Sequence, residues 1–313
     1  MSTSVVRLVP SIARPERLPH STSGPLVAVG SVCDSMPCLS PIRASQNRES
    51  ASVRFHDPPE FDTEWRRVEL PCGRCIGCRR RHAQDWTLRC TLESFQHGAS
   101  SWVTLTYDPA HCPVSVSREH LSGYLKRLRQ RLRSRVVRFF GSGEYGDTTK
   151  RPHYHVILYG VEQGEPEAAQ AWPFGYVRHD PLSPAAIAYV AGYVSKKYGS
   201  DREQDIIDPE TGEVHTRAPA FLQMSRRPGI GGDARRFSSS WRSVAVLPGG
   251  GRQAVPRYLH ESWLQRATDE QVLALKAERE AQAMERSQVV GWRDAARARL
   301  VTALEHKHSR SLL

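Results

Sequence analysis

Two histidines flank a single tyrosine in the run Arg151-Pro152-His153-Tyr154-His155-Val156-Ile157-Leu158. On a strand, side chains at i and i+2 leave the same face, so the imidazoles of His153 and His155 converge and Tyr154 points to the other side. Converging imidazoles can hold a metal ion. They can also be inert exposed residues, and the spacing alone leaves both readings open. Glu144 stands nine residues upstream of His153. On the facing strand of a hairpin, its carboxylate would complete a site of two histidines and one carboxylate, with positions left for phosphate and water. Imidazole with hard oxygen suits Mg²⁺ or Mn²⁺ where phosphate is handled, although histidine pairs also suit Zn²⁺. The plain alternative for Glu144 is a solvated turn residue.

A second group is Tyr189-Val190-Ala191-Gly192-Tyr193-Val194-Ser195-Lys196-Lys197. On a helix, Tyr189 and Tyr193 lie one turn apart on one face, and Lys196 joins that face. A phenol oxygen can attack phosphorus and form a phosphotyrosine, and an amine can steady the developing charge. An aromatic stripe facing a core would produce the same spacing. Cys72, Cys75 and Cys78 form C-x2-C-x2-C, which suits a structural zinc knuckle once a fourth ligand is found. Cys38 is the first candidate, with Cys33, His82 and Cys90 behind it. A cluster of reduced thiols or an iron–sulfur centre are the other readings. Lys126, Arg127, Arg129 and Arg131, continuing to Arg133, Arg135 and Arg138, form a basic row. They are candidate phosphate contacts or a solvated helix face. Arg79 to Arg81, and Arg226 with Arg227, are further phosphate candidates.

The elements that would position these residues can be read from periodicity. Trp102 to Tyr107 is a β-branched and aromatic strand closed by Asp108-Pro109. Leu121, Tyr124, Leu125, Leu128 and Leu132 are spaced for a helix from Ser117, its N-cap, to about Arg135. Val136 to Phe140 and His153 to Tyr159 read as a strand pair around a turn at 144–151. Phe174 to Arg178 reads as a further short strand. Ser183-Pro184 opens the tyrosine helix, which is expected to run to about Tyr198. A helix is also expected over 79–97, with Trp86, Cys90 and Leu92 inward, and a loop or hairpin around Asp208 to Gly212. The order predicts an α+β fold, an antiparallel sheet with packed helices. A cysteine knuckle would precede it and a polar helical tail would follow it. The expected divisions are a mostly irregular segment 1–66, the main domain 67–240, and a linker with a helical tail at 241–313.

The chain has 313 residues, with 44 Lys and Arg against 33 Asp and Glu, a net charge of +11. Its pI near 9.6 favours a polyanionic partner, nucleic acid first and an anionic membrane second. No apolar run is long enough to cross a membrane, and the N-terminal residues carry no secretory leader pattern. Seven cysteines without a leader point to metal binding or free thiols rather than a disulfide scaffold. No Walker-type phosphate loop is present, so a built-in helicase is not expected.

Val103 to Tyr107 (VTLTY), Gly143 to Gly146 (GEYG), Arg151 to His155 (RPHYH) and Tyr189 to Lys197 (YVAGYVSKK) follow one another in order. Together they resemble the HUH-type rolling-circle replication initiators of small single-stranded DNA phages, in the gokushovirus branch of the microvirus group. PCGRCIGC (Pro71 to Cys78) and MSRRPGIG (Met224 to Gly231) are similar to that branch as well. The resemblance covers about 70–235. It implies His153, His155 and Glu144 as ligands of a catalytic metal, and Tyr189 and Tyr193 as alternating nucleophiles assisted by Lys196. It implies single-stranded DNA and the origin of the replicative form as substrates, host helicase and polymerase as partners, and the host bacterial cytoplasm as the place of action. Tyr154 departs from the pattern, being bulkier than the usual aliphatic residue between the histidines. A relaxase or two-tyrosine transposase would share the chemistry. A non-catalytic zinc-knuckle protein would bind nucleic acid without any covalent adduct.

Overall fold

A computed structural model of the chain describes residues 5–7, 38–50, 52–56, 62–146, 148–197, 203–207, 212–236, 241, 244–246 and 252–288, with a few positions from 291 to 302. Strands β1 (Val5–Arg7), β2 (Ile42–Asn47), β3 (Val53–Arg54) and β4 (Trp65–Leu70) lead into helix α1 (Ile76–Ser94). The middle of the chain runs β5 (Ser100–Tyr107), α2 (Arg118–Arg131), β6 (Arg138–Tyr145), β7 (Pro152–Tyr159), α3 (Pro166–Gln170), β8 (Gly175–Pro181) and α4 (Pro184–Lys197). It closes with β9 (Gln204–Ile207), β10 (Val214–Arg217), β11 (Phe221–Met224), β12 (Val244–Val246), β13 (Arg252–Ala254), α5 (Arg257–Leu264) and α6 (Asp269–Gln288). This is the α+β architecture the sequence predicts.

The central sheet has five strands in the order β11-β6-β7-β5-β8, every neighbour antiparallel. Strand alternation assigns its two faces. Val103, Leu105, Tyr107, Tyr154, Val156 and Leu158 meet Leu121, Tyr124, Leu125 and Leu128 of α2 on one face. Each leucine buried there contributes about 1.5–3 kcal/mol. On the other face, Phe140, Ile157 and Tyr159 pack against Cys90 of α1 and Ile187 and Val190 of α4. The two helices that flank the sheet are capped as their sequences predict. Ser117 Oγ accepts from His120 N at 3.2 Å, and Ser183 Oγ accepts from Ala186 N at 3.1 Å.

The first strand of the site hairpin is longer than expected. The expected strand stops at Phe140, because Gly141, Gly143 and Gly146 read as a turn, yet β6 continues to Tyr145. It lies between β7 and β11, so ladder pairing on both edges overrides the weak propensity of glycine. At Gly143, an added Cβ would stand 2.7 Å from the Phe221 ring and 3.1 Å from Tyr154. Glu144 is therefore a strand residue.

Residues 42–66, read as irregular, contain β2, β3 and the start of β4, which form a three-stranded sheet in the order β3-β2-β4. These strands carry little apolar alternation, which is why the sequence hides them. The stretch read as a linker holds β12 and β13, with β1 parallel to β12. The expected helical tail breaks between α5 and α6. Trp241, Ala245, Leu259, Trp263 and Leu275 pack with Leu88 and Leu92 of α1. β9 and β10 pair as the expected hairpin, with 208–211 outside the described residues.

Glu93 on α1 joins three parts of the fold. It is buried, its carboxylate pairs with Arg138 of β6, and it accepts from Gly231 N at 2.7 Å and meets His97 at 3.3 Å. Burial alone would raise its pKa, but the hydrogen bonds from His97, Arg138 and Gly231 outweigh it and hold the carboxyl below its ordinary value of 4.5. Removing one partner of a buried pair strands the other, so Glu93→Gln is expected to cost about 3 kcal/mol in urea unfolding. A lowered folded pKa gives stability that is complete above about pH 4.5 and is lost as the pH falls through the folded value. The gap between wild type and Glu93→Gln should therefore narrow in acid.

Candidate metal and nucleophile site

Register places the site residues in two rows. Glu144 pairs with His153, which pairs with Thr106; Ser142 pairs with His155, which pairs with Thr104. Residues in register share a face, so all six side chains lie on the α4 side of the sheet. Glu144 Oε1 is 2.9 Å from His153 Nε2 and 3.1 Å from His155 Nε2. The ligand atoms of the three residues all lie within 4.8 Å of one another.

Both imidazoles are fixed from behind. His153 Nδ1 is 3.2 Å from the Arg151 carbonyl, which can only accept, so Nδ1 carries the proton and Nε2 faces Glu144. His155 Nδ1 shares a hydrogen bond with Thr104 Oγ1 at 3.1 Å. Buttressing of the remote ring nitrogen is the usual way a metal-binding histidine is oriented. Burial would raise the Glu144 pKa, but hydrogen bonding to His153, His155 and Tyr193 outweighs it and holds the carboxyl at about 2. An ionised carboxylate facing two ring nitrogens needs a cation between them, either protons or a metal. Ligand bonds of about 2.1 Å at right angles would set donors about 3 Å apart, so a divalent ion fits the three residues.

Tyr154, between the histidines, is fully buried on the far face. Its hydroxyl donates to Ser117 O at 3.0 Å, accepts from Ser117 N at 3.1 Å and meets Tyr107 Oη at 2.7 Å. Packing there accommodates the bulk by which it departs from the aliphatic pattern.

Helix α4 brings both tyrosines to the histidines. The Tyr193 ring stacks on His155 at 5.0 Å between centroids, with its hydroxyl 3.4 Å from His155 Nε2. It donates a hydrogen bond to the Tyr189 hydroxyl. Tyr193 is 7% exposed and Tyr189 is 51% exposed. Burial, the Tyr189 hydroxyl and the Glu144 charge all push the Tyr193 pKa up. The side chain of Lys196 lies outside the described residues. Trp102 walls the site, with its ring 5.9 Å from Tyr189 and 6.0 Å from His155. An open cleft of about 500 Å³ is lined by His153, His155, Tyr189, Thr106, Arg151 and Tyr176, among others. The motifs alone miss Thr104, Trp102 and Tyr176. The alternation of the VTLTY strand places Thr104 and Thr106 on one face and is the signal that finds the first.

The cysteines form a second candidate metal site. The sulfurs of Cys38, Cys72, Cys75 and Cys78 lie within 4.8 Å of one another. Cys38 is thus brought to the other three across more than thirty residues, whereas Cys90 is buried in the core and His82 accepts from Trp86 Nε1 at 2.9 Å. Cys33 lies outside the described residues. The thiols accept backbone N–H groups, including Cys72 N to Cys38 Sγ and Leu39 N to Cys75 Sγ, both at 3.3 Å. Burial opposes charge on Cys75, but N–H groups of Cys78 and Leu39 and the neighbouring thiols hold its pKa down at about 6.

The basic row is not brought to either site. Helix α2 covers the face of the sheet opposite the histidines. Arg127 donates to Ala171 O at 2.8 Å, Arg129 to Val137 O at 3.0 Å, and Arg131 to Gln170 at 2.9 Å, while Lys126 is exposed. Arg226 and Arg227 are exposed in the turn after β11.

Residues 100–198 match the family model of the ORF2-type replication-associated proteins. That span runs from β5 through α4 and contains every histidine, carboxylate and tyrosine of the site. The replication-associated protein VP4 of Bdellovibrio phage phiMH2K is 27% identical over 255 residues, covering 73% of this chain and 77% of its own length. The replication-associated protein ORF4 of Chlamydia phage 1 is 32% identical over 46% of this chain and 41% of its own. The replication-associated protein ORF2 of Spiroplasma virus 4 is 26% identical over 52% of this chain and 62% of its own. The chain therefore spans less than two thirds of the latter two relatives. The resemblance to replication initiators of small phages, drawn from the motifs, holds for the family model and for all three relatives.

Proposed function

We propose that this relative of phage replication-associated proteins is a replication initiator that nicks single-stranded DNA with a tyrosine and stays joined to the new 5′ end. The observation that carries the reading is the shared cleft. His153 and His155, in contact with Glu144, open onto the same space as the half-exposed Tyr189.

Glu144, His153 and His155 would hold Mg²⁺ or Mn²⁺, which when bound polarises the scissile phosphate and offsets its charge. The chain's own residues do the rest. His153 and His155 stay in one orientation because Arg151 O and Thr104 hold their remote nitrogens. The Tyr189 oxygen attacks phosphorus, the bond from phosphorus to the upstream 3′ oxygen breaks, the phenol loses its proton and the leaving oxygen gains one. The product is a 5′-phosphotyrosine and a 3′-hydroxyl that can prime synthesis. Tyr193, one turn along, supplies a second phenol, so one tyrosine can hold the old end while the other cuts the new copy and the displaced strand is rejoined. Lys196 on the same helix would assist. The Cys38, Cys72, Cys75 and Cys78 cluster would hold a structural Zn²⁺. Host helicase and polymerase would be partners, in the bacterial cytoplasm. Among the described residues no helix is long and apolar enough to cross a membrane.

Incubation with labelled single-stranded origin DNA and Mn²⁺ should give a covalent protein–DNA band on a denaturing gel, absent in EDTA. His153→Ala and Glu144→Gln should each lower it by more than the roughly 10–100-fold typical of residues behind a metal ligand. DNA binding with no adduct in any metal would reject the reading in favour of a non-catalytic binding protein.

A further inference from the structure

We propose that the outer edge of the central sheet is the seat of the DNA strand, with Tyr176 stacking a base and Arg178 meeting a backbone phosphate. The proposal rests on the nicking reading for its substrate class. Strand β8 is the edge strand of the sheet, next to β5. Its register extends the two rows of the site. Tyr176 pairs with Thr106, in line with His153 and Glu144; Arg178 pairs with Thr104, in line with His155 and Ser142. Tyr176 and Arg178 therefore leave the sheet on the face that carries the metal-binding residues, two strands and about 10 Å from the histidines.

The two side chains are suited to a nucleic-acid strand. Tyr176 is 67% exposed and forms part of the wall of the cleft that also holds His153, His155 and Tyr189. A large aromatic ring kept in water beside a reaction cleft gains from stacking on an unpaired base, at about 1–3 kcal/mol per base whatever its sequence. Arg178 has a side chain 76% exposed, and its Nε donates to Asp180 at 2.7 Å, which holds the guanidinium along the strand. The backbone beneath them is fixed. Gly175 has φ +149°, and a Cβ there would meet Asp108 N at 2.3 Å and Thr106 O at 2.6 Å. Thr106 Oγ1 donates to Tyr176 O at 3.3 Å. A base seated on Tyr176 thus sets which phosphate of the strand comes to the histidines and Tyr189. Tyr176 is a positioning residue that chooses the register of the cut, and the net charge of +11 draws the strand in.

The test is run in EDTA, so that binding is read without cleavage. The probe is fluorescein-labelled oligothymidylate of about 15 nucleotides, within the span such surfaces cover. Tyr176→Ala should weaken its binding about tenfold in fluorescence anisotropy, while Tyr176→Phe stays within about twofold of wild type. Arg178→Ala should reduce the slope of log K against log salt by about 0.7. The same oligonucleotide carrying 5-iododeoxyuridine should crosslink to the β8 peptide at Tyr176. Unchanged affinity in Tyr176→Ala, crosslinks confined to other peptides, or no binding of the probe by wild type would each overturn the proposal. Because no metal is present, loss of the covalent adduct elsewhere leaves these readings untouched. An adduct formed by a protein whose Tyr176→Ala variant binds normally would sink the platform alone.

Discussion

Tyr189→Phe should abolish the first covalent adduct, and Tyr193→Phe should leave it largely intact while blocking strand transfer. The two phenols sit one turn apart and are hydrogen-bonded to each other, so their chemistry is alike and their surroundings decide their order. Tyr189 is half-exposed and lines the cleft. Tyr193 is buried, its ring stacked on His155. An incoming phosphate reaches Tyr189 without moving anything, whereas reaching Tyr193 requires the stack to open. Removal of a nucleophile in other enzymes costs on the order of 10⁶-fold, so the Tyr189→Phe band should fall below detection at the first cut. The check uses one labelled oligonucleotide to read the adduct and a second, unlabelled one to read rejoining. Adduct formation by Tyr189→Phe at the wild-type rate, with none from Tyr193→Phe, would reverse the assignment.

Purified protein should carry one zinc per chain by elemental analysis, and Cys75→Ser should lose both the zinc and much of the stability. Four thiols that converge within 4.8 Å are held there against mutual repulsion only if a cation accepts their charge. Structural zinc contributes roughly 10–16 kcal/mol in small domains at neutral pH. Here Cys75 has a second task, since its sulfur accepts from Cys78 N and caps α1. Helix α1 in turn packs against α4 and, through Leu88 and Leu92, against α5 and α6. With about 2–4 °C of melting temperature per kcal/mol for a domain of this size, a loss of several kcal/mol should lower the melting point by more than about 10 °C. A zinc-free protein with the same melting point as Cys75→Ser would reduce the cluster to a set of free thiols.

The chemistry is more legible in the sequence than the frame around it. A two-residue repeat on a strand and a four-residue repeat on a helix are local geometry, so His153 with His155 and Tyr189 with Tyr193 can be placed on shared faces before any tertiary contact is known. Ligand counting finds Cys38, because three thiolates need a fourth. Glu144 reads as part of a turn because its glycine neighbours lack propensity, and only pairing with β7 and β11 makes it a strand residue. The strands of 42–66 are hidden for a related reason, being short and polar and stabilised by each other. The basic row of α2 is a helix with arginines on its outer side, and nothing in its own periodicity says which face of the sheet it covers. Tyr176 and Arg178 gain meaning only from the order of the strands, which no local pattern encodes.

Tyr154 has its hydroxyl tied to both backbone groups of Ser117 at the head of α2, and to Tyr107. The two imidazoles are thus mounted on a single bracket bolted through the sheet, and the bolt is on the side no DNA would touch. A change behind the sheet that shifts Tyr154 by a few tenths of an ångström would carry His153 and His155 with it in the same direction. Drift in that hidden layer would misalign the pair together, so the site should fail as a unit and not one ligand at a time.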